Sequence, residues 1–222
     1  MITVGHKDGS IGKLPVTHFT QITKGFLTHT VIGGEFAIAH DSKNIAFKTL
    51  LGSCVAIMFY DKKLKIKGMN HFLLPTTNNT NEDMKYGLYS VEAMLNEMYK
   101  MGCTKSNMIA KISGGADILN VGITSKSIGH RNVEFALDFC KTEGFQIVSN
   151  HTRGTFGRVV LLTNNFETFI KTVNNEDTNN KVVRDETKLQ KELSKQPALA
   201  EYSKGTDIFN TQSTQTMEIN LF

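Results

Sequence analysis

The chain has 222 residues, a formal net charge of +4, 40% hydrophobic and 21% charged residues, the profile of a globular protein with one substantial core. So mild a positive charge leaves no footprint for nucleic acid; no apolar run approaches the length of a membrane span, and the N-terminus lacks the apolar region of a secretory signal. Three cysteines, with no CxxC and no paired spacing, argue against a disulfide framework or a zinc site, so the expectation is a reduced, cytoplasmic protein with no metal and no cofactor.

Residues 1–30 carry glycines, scattered histidines and no sustained period, which predicts a loosely attached, mobile N-terminal extension. From Val31 the character changes. Residues 35–39 read as a strand, 40–44 as a turn and 45–51 as a second strand. Two apolar runs follow, 54–60 and 69–74, joined by a polar link at 61–67 and by Gly68. That pattern predicts two strands of a hairpin or of neighbouring sheet positions.

After a polar loop at 76–81, the clearest helix runs over 81–101, with Met84, Leu88, Val91, Leu95 and Met98 on one face. Thr80 and Asp83 resemble a capping box, and Gly102 suits a left-handed stop. A strand at 107–113 ends on Gly114-Gly115, a tight structural turn, since neither a Walker spacing nor a complete GxGxxG accompanies it. A second helix covers 128–143, placing Val133, Ala136, Leu137 and Cys140 on one stripe and ending at Gly144. Cys140 and Cys103 are expected to be structural.

Residues 145–149, 157–163 and 166–173 read as strands, the last two joined by a turn at Asn164-Asn165. Beyond Val173 the composition turns to Asn, Thr, Gln, Lys and Glu. The segment 174–222 is therefore expected to be polar and mobile, with a short helix at 182–195 and an alternating end at 217–222.

The chemistry concentrates on Cys54 and His71. Seventeen positions separate them, so adjacent strands bring them side by side. A thiol and an imidazole within reach of each other are the minimum parts for thiolate chemistry at neutral pH. Gly52 and Ser53 give a tight backbone before the cysteine, and the main-chain N–H groups of Ser53 and Cys54 are the expected donors to an oxyanion. A buried structural cysteine and a hydrogen-bonded core histidine are the bland alternatives for the pair.

Thr49-Leu50-Leu51-Gly52-Ser53-Cys54-Val55, followed by Gly68-Met69-Asn70-His71-Phe72-Leu73-Leu74-Pro75, resembles the signature of the CheD chemoreceptor glutamine deamidases. The resemblance continues through Lys85-Tyr86-Gly87, Lys111-Ile112-Ser113-Gly114-Gly115-Ala116 and Ile128-Gly129-His130-Arg131-Asn132, and closes on a glycine-and-basic turn and strand from Arg153 to Leu162. It spans about residues 31–173; the family usually has an aromatic where Ser113 stands. What it implies is a single layered α/β domain, a mixed and mostly antiparallel sheet with two main helices packed on it.

The resemblance further implies that Cys54 is the nucleophile, His71 its base, and Thr49 the group that orients the imidazole. The substrate would be glutamines on the cytoplasmic helical domain of membrane-bound chemoreceptors, with glutamyl methyl esters as a related target and CheC as a binding partner. Two rivals stand beside it. One is another thiol enzyme, a protease or transglutaminase; the short spacing of Cys54 and His71 is unlike that of papain-type proteases. The other is a non-catalytic adaptor of the same fold that binds receptors or CheC.

Overall fold

The computed structural model describes residues 1–15, 21–74, 86–118, 127–173 and 184. Among the described residues twelve strands are formed in chain order: β1 (Ile2–Gly5), β2 (Ile11–Leu14), β3 (Ile22–Thr23), β4 (Phe26–Thr30), β5 (Glu35–His40), β6 (Ile45–Leu51), β7 (Val55–Asp61), β8 (Ile66–His71), β9 (Met108–Gly114), β10 (Gln146–Thr152), β11 (Arg158–Leu162) and β12 (Thr168–Thr172). The described residues also form the helices α1 (Gly87–Lys100) and α2 (Ile128–Thr142).

The strands make two sheets. One has seven strands in the order β10-β9-β7-β8-β5-β1-β2, the other five in the order β12-β11-β6-β4-β3. Pairing is antiparallel except between β10 and β9 and between β4 and β6. The architecture is thus the mixed, mostly antiparallel α/β layering expected, but with a second sheet.

Burial shows how the layers stack. Alternate residues of β7 leave opposite faces of a strand, and here both faces are dry. Val55, Ile57 and Phe59 join Val91, Met94, Leu95 and Met98 of α1 and Val133, Phe135, Ala136, Phe139 and Cys140 of α2 in one core. Ala56, Met58 and Tyr60 join Ile45, Phe47 and Leu51 of β6, and Val160 and Leu162 of β11, in a second core between the sheets. A strand covered on both sides must be apolar throughout, hence the unbroken run in the sequence.

One expectation fails. The described part of residues 1–30 is no loose extension. Strand β1 lies between β5 and β2 in the seven-stranded sheet, its Ile2 and Val4 are buried in the inter-sheet core, and β4 pairs with β6. These strands are two to five residues long, too short to print a period of two.

The link expected at 61–67 also ends sooner, because β8 begins at Ile66. Lys67 is fully buried in that strand, with Nζ 2.8 Å from Asp41 Oδ1 and 2.6 Å from Asn164 Oδ1. Helix α1 is described from Gly87; the capping box expected at Thr80 and Asp83 lies outside the described residues, as does the helix expected at 182–195 apart from Arg184.

Candidate active site

The chain leaves the five-stranded sheet at Leu51 and enters the seven-stranded sheet at Val55. The crossing, Gly52-Ser53-Cys54, therefore stands at the mouth of the gap between the two sheets. Inward-facing Thr49 closes the five-stranded side. His71, the last residue of β8, closes the other.

Register decides whether Cys54 and His71 face each other. Met58 pairs with Met69, and Val55 bridges Phe72 with hydrogen bonds of 3.1 and 3.0 Å. The same register sets Ala56 opposite His71 and Cys54 opposite Leu73. Val55 and Phe72 point into the helix-side core; Cys54 packs on the inter-sheet core with Ala56. Cys54 and His71 are therefore diagonal neighbours on one face, the relation in which cross-strand side chains come within reach.

The imidazole is held by a short relay. Thr49 Oγ1 donates to the carbonyl of Val31 at 2.8 Å and lies 2.9 Å from His71 Nδ1, which is itself 3.4 Å from the Val31 oxygen. The threonine's one proton is committed to Val31, so Nδ1 carries the ring proton and Thr49 accepts it. Nε2 is left with its lone pair. Burial pushes the His71 pKa down to about 4; the Val31 carbonyl opposes that shift and the positive charge of Lys7 adds to it. The ring is a neutral base at physiological pH.

Three successive carbonyls of the crossing are tied down from the far side. Gly52 O accepts from Ala116 N at 2.8 Å, and Cys54 O from Gly115 N at 2.8 Å. Ser53 O accepts from Asn132 Nδ2 at 2.9 Å. The Gly114-Gly115 turn is the support for this arrangement. At Gly114, with φ of 115°, an added Cβ would sit 2.2 Å from Cys54 O, and at Gly129 one would sit 2.6 Å from Ala116 O. Both contacts demand glycine.

The other cysteines stand apart. Cys103 and Cys140 are buried in the helix-side core, and burial pushes each thiol up to about 12. Cys54 is half-buried. Among the described residues no group of three or more His, Cys, Asp or Glu side chains is placed to hold a metal ion, and no helix is long and apolar enough to cross a membrane.

The structure thus joins Thr49 to His71 directly and sets Cys54 on their side of the sheet. Sequence reasoning did not single out Val31, whose carbonyl anchors the relay, or Asn132. The latter belonged to a quoted motif, but only the docking of α2 shows what its amide touches.

Residues 73–172 match the family model described as CheD chemotactic sensory transduction. The protein named probable chemoreceptor glutamine deamidase CheD 1 from Ruegeria sp. is 35% identical over 134 residues, which cover 60% of this chain and 70% of that one. The chain belongs to the CheD family. A similarly named CheD protein of Shewanella oneidensis is 39% identical over 124 residues, 54% of this chain and 59% of its own. One from Cupriavidus pinatubonensis is 37% identical over 124 residues, 53% of this chain and 57% of its own. This chain therefore spans little more than half the length of these two curated CheD relatives.

Proposed function

We propose that this CheD-family chain is a protein-glutamine deamidase that converts glutamine side chains of chemoreceptors to glutamate. The observation that carries the reading is the relay from Val31 O through Thr49 to His71 Nδ1, which leaves Nε2 basic on the face that bears Cys54. The curated relatives are named for the same activity.

The proposed steps use these residues. Nε2 of neutral His71 takes the thiol proton as Cys54 Sγ attacks the side-chain amide carbon. The oxyanion forms against the N–H groups of Ser53 and Cys54. The imidazolium returns its proton to the departing nitrogen, the C–N bond breaks and ammonia leaves. Water, deprotonated by the same Nε2, attacks the thioester; the C–S bond breaks, the thiol is restored and glutamate remains.

Thr49 is a neutral orienting partner, so it stabilises the imidazolium less than a carboxylate would. That fits a regulatory modification rather than rapid turnover. The substrate class is glutamines on the cytoplasmic helical domain of membrane-bound receptors, with glutamyl methyl esters open to the same acyl chemistry. The protein would work in the cytoplasm, and CheC is the partner that the family resemblance carries.

Incubation with a receptor helical fragment tests the reading. Release of ammonia from an intact fragment supports deamidation. Chain cleavage or amine incorporation would replace it with proteolysis or transglutamination, and the absence of any reaction would favour an adaptor.

A further inference from the structure

We infer that Asn132 is a positioning residue that fixes the orientation of the oxyanion-binding N–H group; the inference rests on the deamidase reading above. Asn132 is wholly buried in the first turns of α2. Its Nδ2 donates to Ser53 O at 2.9 Å and to Leu73 O at 2.9 Å. One amide group thus clamps the residue before Cys54 to the residue two beyond His71. Its own Oδ1 is buried without a hydrogen-bond partner among the described residues, so the side chain is held by what its two protons do.

The consequence lies in one peptide plane. The Ser53–Cys54 bond is trans, and in a trans peptide the C=O and the following N–H point in opposite directions. Asn132 approaches from α2, on the helix side of the seven-stranded sheet, and draws the Ser53 carbonyl there. The N–H of Cys54 is consequently aimed to the other side, the face on which Cys54 packs and which the β7–β8 register gives to His71 as well. Ala116 N–H acts in the same sense on the preceding peptide by holding Gly52 O at 2.8 Å, which turns the Ser53 N–H outward.

Without Asn132 the Ser53–Cys54 plane loses its restraint. A flipped plane would present a carbonyl to the developing negative charge instead of a donor. Correct orientation of one such donor is worth on the order of 10²–10³-fold in kcat.

The test compares the native protein, Cys54→Ala and Asn132→Ala in two assays: deamidation of a receptor helical fragment, and alkylation of Cys54 by iodoacetamide. Alkylation displaces iodide at a saturated carbon and develops no oxyanion, so it reports the nucleophile alone. The expected result for Asn132→Ala is a fall in kcat of about 10²-fold with KM little changed, Cys54 alkylation close to native, and Cys103 and Cys140 still protected. Native-like kcat in the variant overturns the inference. So does equal loss in both assays, or exposure of Cys103 and Cys140, since either marks a purely structural residue. If the native protein itself does not deamidate, the underlying reading fails first, and the inference with it.

Discussion

Thr49 and His71 come from different sheets, yet their side chains meet at 2.9 Å across the gap between them. In the proposed mechanism the contact makes the two-sheet packing part of the chemistry, because any slip of one layer over the other would separate His71 from Thr49. It also explains why a hydroxyl suffices: the proton of Thr49 is already given to Val31 at 2.8 Å, so the oxygen has only one role left to play towards the ring.

Replacing Thr49 by valine preserves shape and removes the acceptor. Nδ1–H would keep only the longer contact to Val31 O, and the tautomer with Nε2 basic would lose its anchor. We expect kcat for deamidation to fall by about 10–100-fold, with Thr49→Ser retaining most of the native rate. Equal activity in the valine variant, measured on the same receptor fragment, would remove Thr49 from the mechanism.

The depressed pKa of His71, about 4 against a reference of 6.5, has two consequences. The acid limb of kcat/KM should lie near pH 4, and a limb at 6.5 or above would mean a charged resting imidazole. Stability should follow the same group. Between pH 6.5 and 4 the unfolded chain binds protons that folded His71 refuses, so stability is full above the unfolded value and is lost as pH falls through that window, by roughly 2–3 kcal/mol. His29, likewise lowered to about 4 by burial, pulls in the same direction. Urea titrations across the range would show it.

Thiol labelling separates the three cysteines. In the folded protein iodoacetamide should modify Cys54 and leave Cys103 and Cys140 untouched, since both are buried with thiols held near 12 and the thiolate is the reactive form. Similar rates at all three, read by peptide mass, would contradict the separation.

At the opposite end of β7, Asp41 accepts from buried Lys67 at 2.8 Å, from Tyr60 OH at 2.8 Å and from Asn165 N at 2.8 Å. This knot joins the two sheets through residues that play no part in the proposed reaction. Asp41→Ala strands the Lys67 charge and should destabilise the fold by roughly 3–5 kcal/mol, while Cys54 alkylation under native conditions stays near the native rate. A destabilisation under 1 kcal/mol in chemical denaturation would show that water reaches Lys67.

Strand β6 could be read residue for residue from the sequence, α2 and β7 to within one residue at an end, and β8 only as a shifted element, three residues late at each end, because each is long enough to repeat its period. The proposed pair was legible for the same reason: Cys54 stands directly before β7 and His71 ends β8. The second sheet was not. Consecutive strands β6 and β7 belong to different layers, and nothing local marks Gly52-Ser53-Cys54 as a crossing between sheets rather than a turn within one. Thr49 entered only through the family resemblance, since its link to His71 depends on how the sheets stack. Lys67 misled outright, as a lysine counts towards a loop until its buried partner Asp41 is known.

The most direct measurement is peptide mass spectrometry of a receptor's cytoplasmic helical domain after exposure to the native protein and to Cys54→Ala. Glutamine should be converted to glutamate at discrete positions by the native protein and stay unchanged with the variant. Conversion that persists without the Cys54 sulfur would contradict the proposed mechanism.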